Sequence, residues 1–313
     1  MTSRRKIMKA LAAIGFAALL PLDAGAQPNG SAKLILMGTK GGPAVRDITQ
    51  VPSSNVIIIG KDSYVVDVGY GATMRLVEKK VPLASIRSIF ITHHHSDHNL
   101  EAGSLLYSTW TGQMTQSVSV YGPEGVQNLI ASSLKSNEFD LTTRMADEGR
   151  PDLRKMVNVH QYAEGLVMEN EQMRVTALRN LHPPITESYA LRFEIKGGQT
   201  IVFSGDTAYF PPLAKFAEGA DYLVHEVMYV PALEQIIKGS NAKTLLKHLM
   251  DSHTSTDDVG RIASAAGVKN LVLTHFVPGG IPTLTDQNWL EGVRKNFSGN
   301  VIVGRDQLEI PLQ

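Results

Sequence analysis

The amino-acid sequence predicts an α/β fold: short β-type runs recur between glycine-bearing turns, and helix-type segments interleave with them. No internal repeat or long low-complexity linker divides the chain. With 43% hydrophobic and 19% charged residues among 313, the composition is that of an ordinary globular protein with enough apolar mass for a sizeable core, which sets disorder aside.

In chain order, strands are expected at 33–37, 56–59, 64–68, 86–91, 118–121, 174–178, 189–195, 200–203, 222–225, 270–274 and 301–303. Helices are expected at 100–109, 123–134, 213–218, 233–250 and 256–266. These elements form one domain over residues 27–313. The charged stretch 137–154 and the Met- and Leu-containing stretch 228–250 look like insertions. Each could serve as a lid or an interface, and the plainer reading is a solvated excursion and a packed helix.

The first residues stand apart. Arg4, Arg5, Lys6 and Lys9 form a basic start, 10–22 is apolar, and Ala24, Gly25 and Ala26 suit cleavage before Gln27. Residues 1–26 therefore read as an export signal, which implies a periplasmic or secreted protein. The apolar run is short for a membrane span, so a permanent anchor is the weaker alternative and the mature form is expected to have no membrane partner. Residues 3–9, SRRKIMK, resemble the twin-arginine export motif; an ordinary basic start explains them equally.

Removing residues 1–26 takes away four basic side chains and Asp23, leaving 26 basic against 29 acidic, a net of −3. A phosphate backbone rewards clustered Lys and Arg, so nucleic acid is read as an improbable partner and a small molecule as the substrate. The sequence is compatible with a homodimer. It contains no cysteine, so there is no disulfide framework, and any metal must be held by nitrogen and oxygen.

Residues 92–101, THHHSDHNLE, follow the expected strand at 86–91. On an extended backbone His93 and His95 point the same way and His94 the other. Asp97 and His98 follow as the chain turns, where they could face a second ion. Four donors on one loop cannot complete two sites, because each ion takes four or five. Further donors occur at other strand ends, in Leu181-His182-Pro183, Phe203-Ser204-Gly205-Asp206-Thr207 and Leu273-Thr274-His275-Phe276.

The series HHHSDH, His182, SGDT and LTHF resembles the ordered metal-binding motifs of the metallo-β-lactamase superfamily. LMGTKGGP at 36–43, YVVDVGYGATMRL at 64–76, HEV at 225–227 and SHTST at 252–256 carry the likeness toward its ribonuclease Z and arylsulfatase-like branch. It covers essentially the whole mature chain. It implies a four-layer αβ/βα sandwich with two mixed sheets flanked by helices and a site at one edge of the packed sheets.

Carried over residue by residue, the resemblance implies that His93, His95 and His182 hold one ion and that Asp97, His98 and His275 hold the other, with Asp206 bridging. Two Zn²⁺ about 3.5 Å apart would share a water and bring its pKa toward neutrality, giving a hydroxide nucleophile. Mn²⁺ or Fe²⁺ suits the same donors. The pattern further implies that His253 protonates the leaving group, that Glu226 orients it, and that Asp97 helps to position the nucleophile.

Each residue also has a structural reading. His182 could be a turn residue, Asp206 a helix cap, His275 a core histidine and His253 part of a helix entry capped by Thr256. His94, His160, His225 and His248 take the structural reading by default. Tyr107, Trp110, Tyr209, Phe210 and Tyr229 are candidates for shaping the substrate pocket.

Asp206 argues against a true β-lactamase, which as the resemblance is usually described lacks this bridging carboxylate. Glu226 with His253 favours an ester with a poor leaving group. The expectation is an exported, metal-dependent hydrolase, a binuclear zinc enzyme that cleaves a small phosphodiester or an aryl sulfate. The alternatives are a lactonase or other carboxyl-ester or amide hydrolase, β-lactams included, and a zinc-binding protein without activity.

Overall fold

The structure is a computed structural model that describes residues 32–45, 48–238 and 240–313. The segment expected to be an export signal, 1–26, lies outside the described residues. Among the described residues fourteen strands are present: β1 Ala32–Gly38, β2 Ser54–Ile59, β3 Asp62–Val68, β4 Ile86–Phe90, β5 Val118–Gly122, β6 Val157–Gln161, β7 Gly165–Glu169, β8 Met173–Arg179, β9 Tyr189–Ile195, β10 Thr200–Phe203, β11 Tyr222–Met228, β12 Asn270–Val277, β13 Asn300–Val303 and β14 Leu308–Leu312. They form two seven-stranded sheets, ordered β14-β1-β2-β3-β4-β5-β6 and β13-β12-β11-β10-β9-β8-β7.

Both sheets are mixed. In the first, β14, β1, β2 and β3 are antiparallel, and β3 to β6 are parallel. The second mirrors it: β7 to β10 run antiparallel and β10 to β13 parallel. Parallel strands need helical crossovers, and those crossovers cover the outer faces.

Three apolar layers result. Leu34, Ile57, Phe90, Tyr189, Phe193 and Val272 fill the space between the sheets. Outside the first sheet, Val65, Ile89 and Val120 pack on the helices Ala102–Thr111 and Val126–Ser136. Outside the second, Leu223 and Leu271 pack on the helices Thr256–Ala266 and Asp286–Arg294. This is the four-layer sandwich expected from the resemblance. The layers bring the C-terminal ends of β3, β4, β8, β10, β11 and β12 to one edge, which is where crevices form in parallel sheets.

The expected helix at 233–250 is in fact two, Glu234–Ile237 and Leu245–Ser252. Ser240 and Asn241 sit between them, and these residue types favour turns over helix. A small apolar cluster of Met228, Leu233, Leu249 and Val277 pins this segment to the sheet end. The stretch 137–154 holds a surface helix, Glu138–Glu148, anchored by Leu141. Among the described residues no helix is long and apolar enough to cross a membrane.

Candidate metal centre

The strand-end loops bring together all nine residues singled out from the sequence. Among the described residues two donor groups share Asp206, namely His93, His95, His182 and Asp206, and Asp97, His98, Asp206 and His275; Glu226, His253 and His275 form a third cluster. The Asp206 Oδ2 atom lies 3.1 Å from His275 Nε2, 3.3 Å from His98 Nε2, 3.8 Å from His93 Nε2 and 4.0 Å from His182 Nε2. In the first group His95 Nδ1 is 3.1 Å from Nε2 of both His93 and His182. In the second, Asp97 Oδ2 is 3.4 Å from His275 Nε2 and 3.7 Å from His98 Nε2. Donors bonded at 2.0–2.1 Å in a tetrahedron stand about 3.3 Å apart, so both groups have the dimensions of a metal cage.

The hydrogen bonds behind the donors decide which way the lone pairs point. His182 Nδ1 faces the Ser252 carbonyl at 3.0 Å and can only donate to it. The Thr92 hydroxyl donates to Asp67, so at 3.1 Å it accepts from His93 Nδ1. His98 Nδ1 donates to Asp67 Oδ2 at 2.7 Å, and its Nε2 is buried with no hydrogen-bond partner, as is Asp206 Oδ1. Three imidazole lone pairs are thereby turned on one another and on a carboxylate. Buried electron-rich atoms so arranged have to be met by cations, protons or metal ions, and outer carboxylates of this kind fix metal-binding tautomers.

The electrostatics agree. Burial opposes the charge on Asp206, yet His275 and His98 hold its carboxyl well below the usual range. Burial likewise opposes a charge on His98, but Asp206, Asp67 and Asp97 raise its proton affinity well above that of an ordinary histidine. A metal ion would use the same carboxylates. Burial pushes His93 far down and His182 to about 4, leaving both neutral as ligands must be.

Local backbone explains how these donors meet. Gly205 takes φ +58 where a Cβ would come within 2.6 Å of the Tyr189 carbonyl, so only glycine lets Asp206 turn inward. His275 itself takes φ +44, and the β11–β12 register shifts between Glu226 and Val227 beside it. Asp97 sits in the single-turn helix Ser96–Asn99, and its Oδ2 accepts the Gly42 amide at 2.8 Å.

His253 closes the C-terminal end of the Leu245–Ser252 helix. Its Nδ1 lies 3.0 and 3.1 Å from the two oxygens of Glu226, and its ring stacks on His275 with centroids 5.5 Å apart. Glu226 is held in turn by the Thr207 amide at 2.7 Å. Burial opposes charging His253, but Glu226 overcomes it and raises the imidazole to about 9.

Asp67 was missed as a site residue. Its signal was a carboxylate at a strand end in YVVDVG, and in the structure it takes φ +60 and reaches both Thr92 and His98. His248 departs from the structural reading: it faces a chamber of about 480 Å³ beside the donors, between the 41–44 loop and a wall of Ile236 and residues 240–249. His225 is buried in β11, His160 stacks on Tyr121, and His94 meets Asn99. None of the five aromatic candidates lines the chamber. Trp110, Tyr107, Phe210 and Tyr229 pack into cores, and Tyr209 is exposed.

Fold and donor set together define a metal-dependent hydrolase of the metallo-β-lactamase superfamily, in its ribonuclease Z-like branch. The family model described as anti-Pycsar protein Apyc1 matches residues 32–251, and the chain belongs to that family. It is 29% identical to ribonuclease Z of Mycobacterium bovis over 277 residues, which is 88% of this chain and 96% of that protein. Ribonuclease Z of Mycobacterium marinum is 28% identical over the same shares. Among solved structures, the metallo-β-lactamase fold protein YhfI of Bacillus subtilis superposes with a TM-score of 0.66 at 20% identity, covering 90% of this chain and 99% of that one. Human tRNase Z, short form, gives 0.63 at 21%, covering 89% and 98%.

These relatives correct one expectation. A net charge of −3 makes nucleic acid an improbable partner on composition alone, yet relatives matched over 88% of this chain are ribonucleases. Net charge averages over the surface, whereas a scissile phosphate meets only the charge of the site.

Proposed function

We infer that this protein is a binuclear zinc phosphodiesterase, with His93, His95 and His182 holding one ion, Asp97, His98 and His275 the other, and Asp206 between them. The observation that carries this reading is the His253–Glu226 pair set beside the donor cluster. Two metal ions held by these residues would supply an acidified water and Lewis-acid contacts for the phosphoryl oxygens.

The chain's own groups do the rest. Asp97, fixed by the Gly42 amide, orients the nucleophile's proton. His253, kept protonated at neutral pH by Glu226, gives its proton to the departing oxygen. That step matters for an alkoxide or phenolate leaving group, hence for phosphodiesters and, in the same geometry, for aryl sulfates. The ribonuclease Z relatives support the phosphodiester and bring RNA into the set of substrates to be tried. The basic, apolar and small-residue pattern of 1–26 supports export of the enzyme to the periplasm or beyond.

The test is elemental analysis of the mature protein with hydrolysis of bis(p-nitrophenyl) phosphate before and after chelation. p-Nitrophenyl sulfate, a lactone and an RNA oligomer are run on the same preparation. About two ions per chain with chelator-sensitive diester turnover is expected. A chain that binds no Zn²⁺, or that opens only the lactone, overturns the reading.

A further inference from the structure

The Leu245–Ser252 helix carries His248 into the chamber. Its ring centroid lies 6.0 Å from that of His95, 6.2 Å from His182 and 6.1 Å from His253, so it overlooks the first donor group and the imidazole beside Glu226 at once. The walls around it are largely apolar, with Ile236, Leu245, Leu249 and Val277 among them, and Ser240 and Asn241 at the polar side. Among the described residues no lysine or arginine lines this space. A volume of about 480 Å³ is that of a small-molecule pocket.

The hydrogen bonds at Ser252 fix what His248 presents. The Ser252 hydroxyl donates to the Pro183 carbonyl at 2.6 Å, so its one proton is committed. Toward His248 Nδ1, 3.3 Å away, the same oxygen can only accept. The proton of the neutral imidazole therefore sits on Nδ1, and Nε2 is an acceptor. Among the described residues nothing bonds Nε2. Burial, and next the charge on His253, lower the proton affinity of His248 and favour this neutral form. A half-buried acceptor on an apolar wall discriminates by about the worth of one hydrogen bond, because a partner without a donor leaves it partly desolvated and unpaired.

We propose that His248 is a specificity-determining residue that accepts a hydrogen bond from a hydroxyl or amino group on an otherwise apolar arm of the substrate ester. The chamber takes that arm and the donor groups take the phosphoryl centre. The proposal rests on the phosphodiesterase reading and adds the chemical class of the arm: flat or aliphatic, uncharged, and carrying a donor.

The experiment compares two symmetric diesters of matched shape, bis(4-hydroxymethylphenyl) phosphate and bis(4-methylphenyl) phosphate, with bis(p-nitrophenyl) phosphate as the activity control. Symmetry ensures that whichever arm enters the chamber carries the group under test. The wild type should favour the hydroxymethyl ester by about 3- to 10-fold in kcat/KM, the worth of one net hydrogen bond. His248→Phe should abolish that preference by slowing the hydroxymethyl ester alone, with metal content unchanged, and His248→Gln, whose amide oxygen also accepts, should retain it. Equal turnover of the two esters by the wild type overturns the proposal, as does a preference that survives in His248→Phe or a uniform loss on all substrates. If the metal-loaded enzyme leaves bis(p-nitrophenyl) phosphate intact, the phosphodiesterase reading itself fails and takes this inference with it.

Discussion

The Glu226→Gln substitution isolates the role assigned to the buried imidazole–carboxylate pair. Gln keeps the size of Glu and can still bond His253 Nδ1, but it removes the charge that holds His253 at about 9. Burial, the largest influence, is then opposed only by the smaller effects of Asp206 and Asp97, and the imidazole falls toward the ordinary value near 6.5. At pH 8 a group with pKa 9 is about 90% protonated and one with pKa 6.5 about 3%, so the acid form falls roughly 30-fold; at pH 6 the two differ by less than about 1.5-fold. The variant should therefore be nearly normal in acid and increasingly defective in alkali.

The assay is kcat/KM of the metal-loaded enzyme between pH 5.5 and 10, on a diester whose leaving group is phenol. The same profile is then measured with p-nitrophenol as leaving group, which departs with little help from an acid. The alkaline limb should move down by two or more units on the phenyl ester and matter much less on the nitrophenyl ester. A defect of constant size across pH, or an equal one on both esters, would refute the general-acid role and leave Glu226 as a packing residue.

Other consequences of the site are open to simpler measurements. Asp206→Asn should lower bound metal from two ions to one or none and reduce diester turnover at least about 100-fold, because both donor groups share this carboxylate. Asp67→Asn should weaken metal retention about 10- to 100-fold, read by competition with a chromogenic chelator, since it disturbs the tautomer of His98 and, through Thr92, that of His93. Chelation should lower Tm by about 5–10 °C relative to protein at 100 times the metal Kd, a linkage of about 2.7 kcal/mol.

The metal-free protein should also be most stable near pH 6.5. His98 and His253 have raised affinities, so their stabilisation is complete below about 6.5 and is lost as pH rises through their folded-state values, about 9 for His253. His93 and His182 are lowered, so the unfolded chain gains protons on them first and stability falls from 6.5 toward 4. Thermal melts of chelated protein across pH 4–9 check this, and a flat profile would contradict it.

What the sequence made legible follows from where the information is stored. Donors in tight loops after apolar strands are local patterns, so His93, His95, Asp97, His98, His182, Asp206 and His275 could be picked out and then found within one cluster. Strands β6, β7 and β14 lie outside the expected set, and each is an edge strand: β6 alternates over only five mostly exposed residues, β7 shows no alternation, and β14 contains Pro311, which central strands reject. The helices Ala72–Glu78 and Asp286–Arg294 were missed too, each short enough that tertiary packing rather than propensity decides it.

His248 and Asp67 were illegible for a deeper reason. Each acquires its role from a hydrogen bond to a residue distant in sequence or committed elsewhere: Asp67 to His98 across 31 positions, and His248 to a serine whose proton is already spent on Pro183. Spacing can nominate metal ligands because the ion itself enforces their pattern. Nothing comparable enforces the pattern of groups that hold the ligands or meet the variable part of a substrate. Relatives can therefore share every donor and still differ in what they cleave, so substrate choice in this chain has to be sought on the 228–250 segment, His248 included, rather than in the metal-donor residues.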